Sequence, residues 1–159
     1  MSIFDDVGDF HEKFDLPRSP ADVSLNNQGH GLHRWLVETG MATPPSIDIP
    51  QELIDFRLKF LHEELKEIEE GYASGDLEQV ADGLVDLIYV ALGTAHLHRL
   101  PFDRLFDEVQ RANMRKVRAA SSSDSKRGSS YDVVKPEGWT KPNIIAILES
   151  HGWKPQKKD

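Results

Sequence analysis

The chain contains no cysteine. Disulfides, thiolate metal sites and cysteine nucleophiles are therefore excluded. Long apolar runs are also missing: the stretch at 84–95 falls short of the roughly 18–20 residues that span a bilayer, and Asp86 interrupts it. No membrane partner is expected. The first residues, Met1-Ser2-Ile3-Phe4-Asp5-Asp6, lack the basic and apolar regions of a signal peptide. Basic charge is scarce, with 19 Lys and Arg against 27 Asp and Glu and a net charge of −8. Stable nucleic-acid binding, which depends on cations displacing counterions, is not expected. There is no Gly-x-x-x-x-Gly-Lys-Ser/Thr loop, no Gly-x-Ser-x-Gly elbow, no His-Glu-x-x-His and no Glu-x-x-His pair. P-loop chemistry, serine hydrolysis by that motif, zincin chemistry and the ferritin-like di-iron arrangement lose their support.

What is present is helical and acidic. Ile3, Val7, Phe10 and Phe14 recur at helical spacing, so a short amphipathic helix is predicted over 3–14. Residues 15–50 are rich in proline and glycine and read as irregular, with a possible short helix at Gly31–Thr39. A long helix follows Pro50 to about Ala73, striped by Leu58, Leu61, Leu65, Ile68 and Tyr72. Asp76 and Gln79 then form a capping pattern for a second long helix ending near His98. That helix is apolar almost all round and is predicted to be the most buried element. Pro101 opens a third, with Leu105, Phe106, Val109 and Met114 as its apolar positions. The Ser-rich stretch 119–130 reads as a mobile loop, and Pro142 precedes a short helix, Ile144–Glu149, stopped by Gly152. The fold class is all-α with a four-helix-bundle core in a single domain, 1–159. The core is about 51–118, the N-terminal extension 1–50, and 119–159 forms a lid-like C-terminal segment.

The acids fall at site-like spacing. Glu64 and Glu67 share a helix face, as do Glu63 and Glu67, and Asp82 and Asp86. If the two helices face each other, these five carboxylates meet. Carboxylates so placed repel unless a cation or proton intervenes. An all-oxygen set suits a hard dication such as Mg²⁺, with Mn²⁺ as a substitute. A metal-activated water is then the hydrolytic chemistry that remains. For Glu63, Glu64 and Glu67 alone, a solvated acidic face is the simpler reading; the apolar setting of Asp86 tips the balance. His62, His96 and His98 are expected in surface or capping roles.

Four blocks in order carry a family resemblance: Glu63-Glu64-x-x-Glu67, Asp82-Gly83-Leu84-Val85-Asp86-Leu87-Ile88-Tyr89-Val90, Arg111-Ala112-Asn113-Met114-Arg115-Lys116 and Lys135-Pro136-Glu137-Gly138-Trp139. Over about 51–150 the chain resembles the MazG-like all-α nucleoside triphosphate pyrophosphohydrolases, in particular the dUTPase-like and phage-type branch. The resemblance implies Mg²⁺-dependent cleavage of a nucleoside triphosphate between its α- and β-phosphates, in a homodimer or a dimer of dimers. It implies Glu63 and Glu64 as catalytic residues, and Glu63, Glu64, Glu67, Asp82 and Asp86 around the metal. It also implies Asn113 and Lys116 at the nucleotide, with 135–139 closing over the phosphates; Arg115 and Lys135 are read with Lys116 as cations for the departing pyrophosphate, and Trp139 as a ring that stacks on the substrate or, the simpler reading, packs. A cytoplasmic location follows, the host cytoplasm for a phage protein. The family usually carries Glu where this chain has Gly83, and Asp82 is the substitute one residue earlier. Rival readings are a phosphoribosyl-ATP pyrophosphohydrolase and a helical dimer that binds a partner without catalysis.

Overall fold

The computed structural model describes residues 2–16, 39–40 and 43–155. The possible helix at 31–39 falls almost wholly outside them. The architecture is all-α. Among the described residues five α-helices are present: α1 (Ile3–Lys13), α2 (Gln51–Ser74), α3 (Leu77–Leu97), α4 (Phe102–Asn113) and α5 (Ile144–Ser150).

The α2–α3 hairpin organises the molecule. Gly75 ends α2 at φ 73°, a left-handed conformation that glycine adopts without a Cβ clash, and its N–H donates to Gly71 O. Asp76 follows at once and caps α3, its Oδ1 accepting from Gln79 N at 3.1 Å. The two-residue turn folds α3 back along α2, and small residues let the backbones close. A Cβ on Gly83 would lie 2.9 Å from Ile68 Cγ1, and one on Gly71 2.8 Å from Val80 Cγ2. The stripe of α2 that meets α3 is therefore Arg57, Glu64, Ile68 and Gly71. Of the stripe predicted for this helix only Ile68 is buried; Leu58, Leu65 and Tyr72 are exposed.

α1 lies on the C-terminal half of α3. Phe4, Val7, Leu92 and Ala95 form a core cluster with Leu100 and Phe102 against it. A Ser2–Asp5 capping box starts α1. Ser2 Oγ also donates to Asp103 Oδ2 of α4 at 2.9 Å, tying the start of α1 to α4. His96 is buried here: its ring stacks on Phe4 at 3.8 Å and its Nε2 is 2.9 Å from Phe4 O. The surface or capping role expected for it is overturned, because a backbone carbonyl and an aromatic face hold the ring inside the core. His62 is exposed, and His98, the C-cap of α3, bonds Ser46 O at 2.8 Å.

α3 is not buried all round. Its C-terminal half is covered, but Leu77, Leu84, Val85 and Ile88 are open to solvent, Val85 at 62%. By length and composition alone α3 could cross a membrane, which the shorter count of 84–95 did not register. Asp86 is exposed too. The apolar surroundings read from sequence enclose it only in part, since α2 covers one flank of α3 and α1 packs on the C-terminal half alone.

The stretch 119–130 is ordered by side chains instead of periodicity. Strands Val117–Arg118 (β1) and Val133–Val134 (β2) pair antiparallel, Val117 with Val134 and Arg118 with Val133. Between them Ser121 and Asp124 cap a 3-10 turn, Ser122–Asp124. Ser125 Oγ donates to Asp132 Oδ2 and Arg127 Nη1 to Asp132 Oδ1, both at 2.7 Å. Short polar side chains bonding nearby backbone and each other hold such loops without an apolar pattern.

Candidate active site

The helical seam places the acids. Glu64 lies on the face of α2 that meets α3 and is only 7% exposed. Glu63, Glu67, Asp82 and Asp86 are exposed around it. Burial raises the Glu64 carboxyl above its ordinary pKa, and the charges of Glu67, Asp86, Glu63 and Asp82 add to that in turn. The other four acids singled out in the sequence thus all act on Glu64. Of the nearby lysines, Lys59 pairs with the site acid Glu63 at 3.6 Å, and Lys66 pairs with Glu70.

The arrangement is not a finished cage. Among the described residues no three acids or histidines stand close enough to hold a metal ion between them. The expectation that the five carboxylates meet is not met, although Mg²⁺, which keeps several waters and is commonly held by one or two carboxylates together with substrate phosphates, needs no such cage. A buried carboxylate under negative charge, in a set of hard oxygen donors only, fits such an ion. Gly83 lies at a close approach in the seam, with its missing Cβ directed at Ile68 and at Glu64 O, 3.5 Å away.

Beside the acids a cavity of about 190 Å³ opens between α1, α2 and α3. Glu64 and Asp86 line it together with Phe10, Phe60, Tyr89 and Arg57. The sequence reading missed its apolar and basic walls. The signals were there in part: Arg57 precedes Glu64 by two helical turns, and Gly93 is a glycine inside an apolar helix, a common mark of close approach.

The residues expected at the substrate form a second group. Asn113 ends α4. Trp139 Nε1 donates to Ala112 O at 2.8 Å, so this ring packs on α4. Lys135 Nζ lies 4.4 Å and Lys116 Nζ 6.0 Å from the Trp139 ring centre. Arg115 Nη2 donates to Thr140 O at 3.1 Å. These contacts fold 135–140 onto the end of α4 and gather three cations on one surface. Among the described residues no ion pair joins that surface to the acids.

The family model of phosphoribosyl-ATP pyrophosphohydrolase matches residues 30–113, which is just over half of the chain. The match begins ahead of the 51–150 stretch that carries the resemblance, covers all five acids, and stops at Asn113 before Lys116 and Trp139. No curated protein matches the chain. With the acid pairs of α2 and α3 on one seam and an all-α fold around them, the chain belongs to the phosphoribosyl-ATP pyrophosphohydrolase family, within the MazG-like all-α superfamily of pyrophosphohydrolases, hydrolases of acid anhydrides acting on nucleotide-like substrates.

Proposed function

We propose that this protein hydrolyses ribo- or deoxynucleoside triphosphates between the α- and β-phosphates, with water added and a nucleoside monophosphate and pyrophosphate released. In this reading it is a nucleotide-pool enzyme of the dUTPase-like and phage-type branch, working in the cytoplasm. One observation carries the proposal: the buried Glu64 carboxylate with four further acids acting on it beside a cavity.

Pairs drawn from Glu63, Glu64, Glu67, Asp82 and Asp86 would hold Mg²⁺, or Mn²⁺ in its place, together with waters and the phosphates of the substrate. The ion supplies a water of lowered pKa and neutralises charge on phosphate oxygens. Glu63, the outward acid of the pair, is suited to take the proton of the attacking water. Glu64 fixes the acid seam from within. Lys116, Lys135 and Arg115 provide fixed positive charge for the departing pyrophosphate. Asn113 has both donors and an acceptor for the sugar or base.

The active form is proposed to be a homodimer or a dimer of dimers. Leu58 and Leu65 of α2 and Leu77, Leu84 and Ile88 of α3 are exposed. Helical spacing puts them on the flank opposite the acids. A second copy of the same hairpin would cover that flank.

The matched family favours a second substrate, phosphoribosyl-ATP. Pyrophosphate release from this compound and from a full panel of NTPs and dNTPs, with Mg²⁺ and with EDTA, separates the two. Turnover of phosphoribosyl-ATP alone rejects the triphosphate reading, and no turnover of any of them rejects both.

A further inference from the structure

The acid seam is fastened on both sides, and the two fastenings differ in kind. On one side Ile68 of α2 packs against Gly83 of α3, an apolar side chain on a helix. On the other side Arg57 of α2 reaches α3 beyond the acids. Its Nε donates to Thr94 Oγ1 at 3.1 Å and its Nη2 to Val90 O at 2.6 Å. Thr94 Oγ1 itself donates to Val90 O at 2.8 Å. Gly93 leaves the room, since a Cβ there would stand 2.5 Å from Arg57 Nη2. Glu64 lies about two turns from Arg57 along α2, and Asp86 about one turn from Val90 along α3.

The difference decides what each fastening can set. Apolar burial is non-directional, so Ile68 at Gly83 holds the helices close without fixing how α3 is turned about its axis. Hydrogen bonds weaken when misaligned. Two of them, from neighbouring nitrogens of one planar guanidinium, fix Val90 and Thr94 against α2. Asp86 shares a face of α3 with Val90, four residues on, so the same bonds set where its carboxylate is aimed. A half-buried cation is also a poor choice for stability alone. Burial pulls the Arg57 guanidinium below its ordinary pKa, which marks the cost of taking that charge out of water. An apolar side chain would fill the place without this cost.

We propose that Arg57 is a positioning residue: by fixing the rotation of α3 on α2 it sets the aim of Asp86 relative to Glu64, and with it the affinity of the acid seam for a dication. The inference rests on the metal-dependent reading of that seam. Among the described residues no three acids make a cage, so an ion held by a pair from the two helices is sensitive to how they are turned. Rotation of α3 carries Asp82 and Asp86 away from Glu63, Glu64 and Glu67 together.

The test uses the full-length protein and Mn²⁺ alone, with binding followed by electron paramagnetic resonance. Arg57→Lys keeps the charge but replaces the fork by a single ammonium, which does not reproduce both bonds. It should weaken Mn²⁺ binding by roughly tenfold to a hundredfold, the range for groups that orient metal ligands. Thr94→Val should weaken it in the same direction, and Thr94→Ser, which keeps the hydroxyl, should not. Leu105→Ala, at a buried position of α4, should lower the melting temperature and leave Mn²⁺ affinity unchanged. Wild-type affinity in Arg57→Lys overturns the inference. Equal affinity in the two Thr94 variants does so as well, and carries the test if Arg57→Lys does not fold. A Leu105→Ala protein that loses affinity as Arg57→Lys does would also overturn it, because lost stability would then explain both. If the wild type binds no Mn²⁺, the metal reading fails instead, and crystal structures of wild type and Arg57→Lys decide on Arg57. An unchanged distance between the Glu64 and Asp86 carboxylates rejects it as a positioning residue, and a changed one upholds it.

Discussion

Gly83 of α3 faces Ile68 of α2 so closely that an added Cβ would stand 2.9 Å from Ile68 Cγ1 and 3.4 Å from its backbone nitrogen. Overpacking of this kind costs about 1–3 kcal/mol, while replacing a helical glycine by alanine returns about 1 kcal/mol. Gly83→Ala is expected to be destabilising, with a lower urea midpoint at unchanged m. In an Ile68→Ala background the same change should cost less, because the clashing atom is gone. Equal costs in the two backgrounds would mean that the helices do not meet there.

Asp86→Asn tests the acid site with little effect on the fold. Asp86 is exposed, and substitutions at exposed positions commonly change stability by about 0.5 kcal/mol or less. Pyrophosphate release should drop by about a hundredfold or more, beyond the loss seen for groups that merely orient metal ligands. Wild-type turnover by this variant would remove Asp86 from the site.

The raised pKa of Glu64 links protons, metal and stability. An acid whose pKa is raised on folding holds its proton more tightly in the folded state. Folding stability contributed by Glu64 is therefore present at low pH and declines as pH rises from the ordinary carboxylate value of 4.5 towards the folded pKa. Above that window the ionised group is a standing penalty. Glu64→Gln should raise the melting temperature of the EDTA-treated protein at neutral pH. Mg²⁺ should stabilise the wild type more than the variant, by mass action. A variant that melts below the wild type in EDTA would contradict the assigned electrostatics.

Trp139→Phe removes the indole donor to Ala112 O at 2.8 Å. The lost hydrogen bond should cost about 0.5–1.5 kcal/mol in chemical denaturation. Because Lys135 rests on the same ring, KM for the triphosphate should rise as well. A change in stability with KM unaltered would confine the tryptophan to packing.

The apolar flank predicts assembly. Ile88→Glu, or Leu84→Glu, places a charge on it and should shift the mass found by light scattering from a dimer or tetramer to a monomer. A wild type that is monomeric at every concentration would reject the proposed assembly outright.

Much of the fold was legible because its signals are local. Gly75 and Asp76 marked the hairpin turn, and Pro50 and Pro101 marked helix starts, all within a residue or two. The acid pairs were legible through helical spacing. Burial was not. Asp86 was read as enclosed and Glu64 as a surface acid, and the structure exchanges them. The composition of α3 cannot say which neighbour covers which flank, whereas Glu64 lies on the stripe that Arg57, Ile68 and Gly71 already define. Gly83 stood in the sequence as a missing carboxylate; in the structure it is a contact between backbones. The hairpin at 117–134 was hidden because Ser125, Arg127 and Asp132 hold it through polar bonds with no hydrophobic period.

The seam of small residues has a mechanical consequence. At Gly71, Gly83 and Gly93 the seam is filled by the side chains of Val80, Ile68 and Arg57, which lie where a Cβ would have to go. The hairpin behaves as a stiff rail, and the spacing of Glu64 and Asp86 follows from that packing. Accommodation of different ligands must then come from rotation of side chains along the outer edge and from shifts of α1. Changes in α1 should alter which molecules are admitted, while the spacing of the carboxylates stays as the rail dictates.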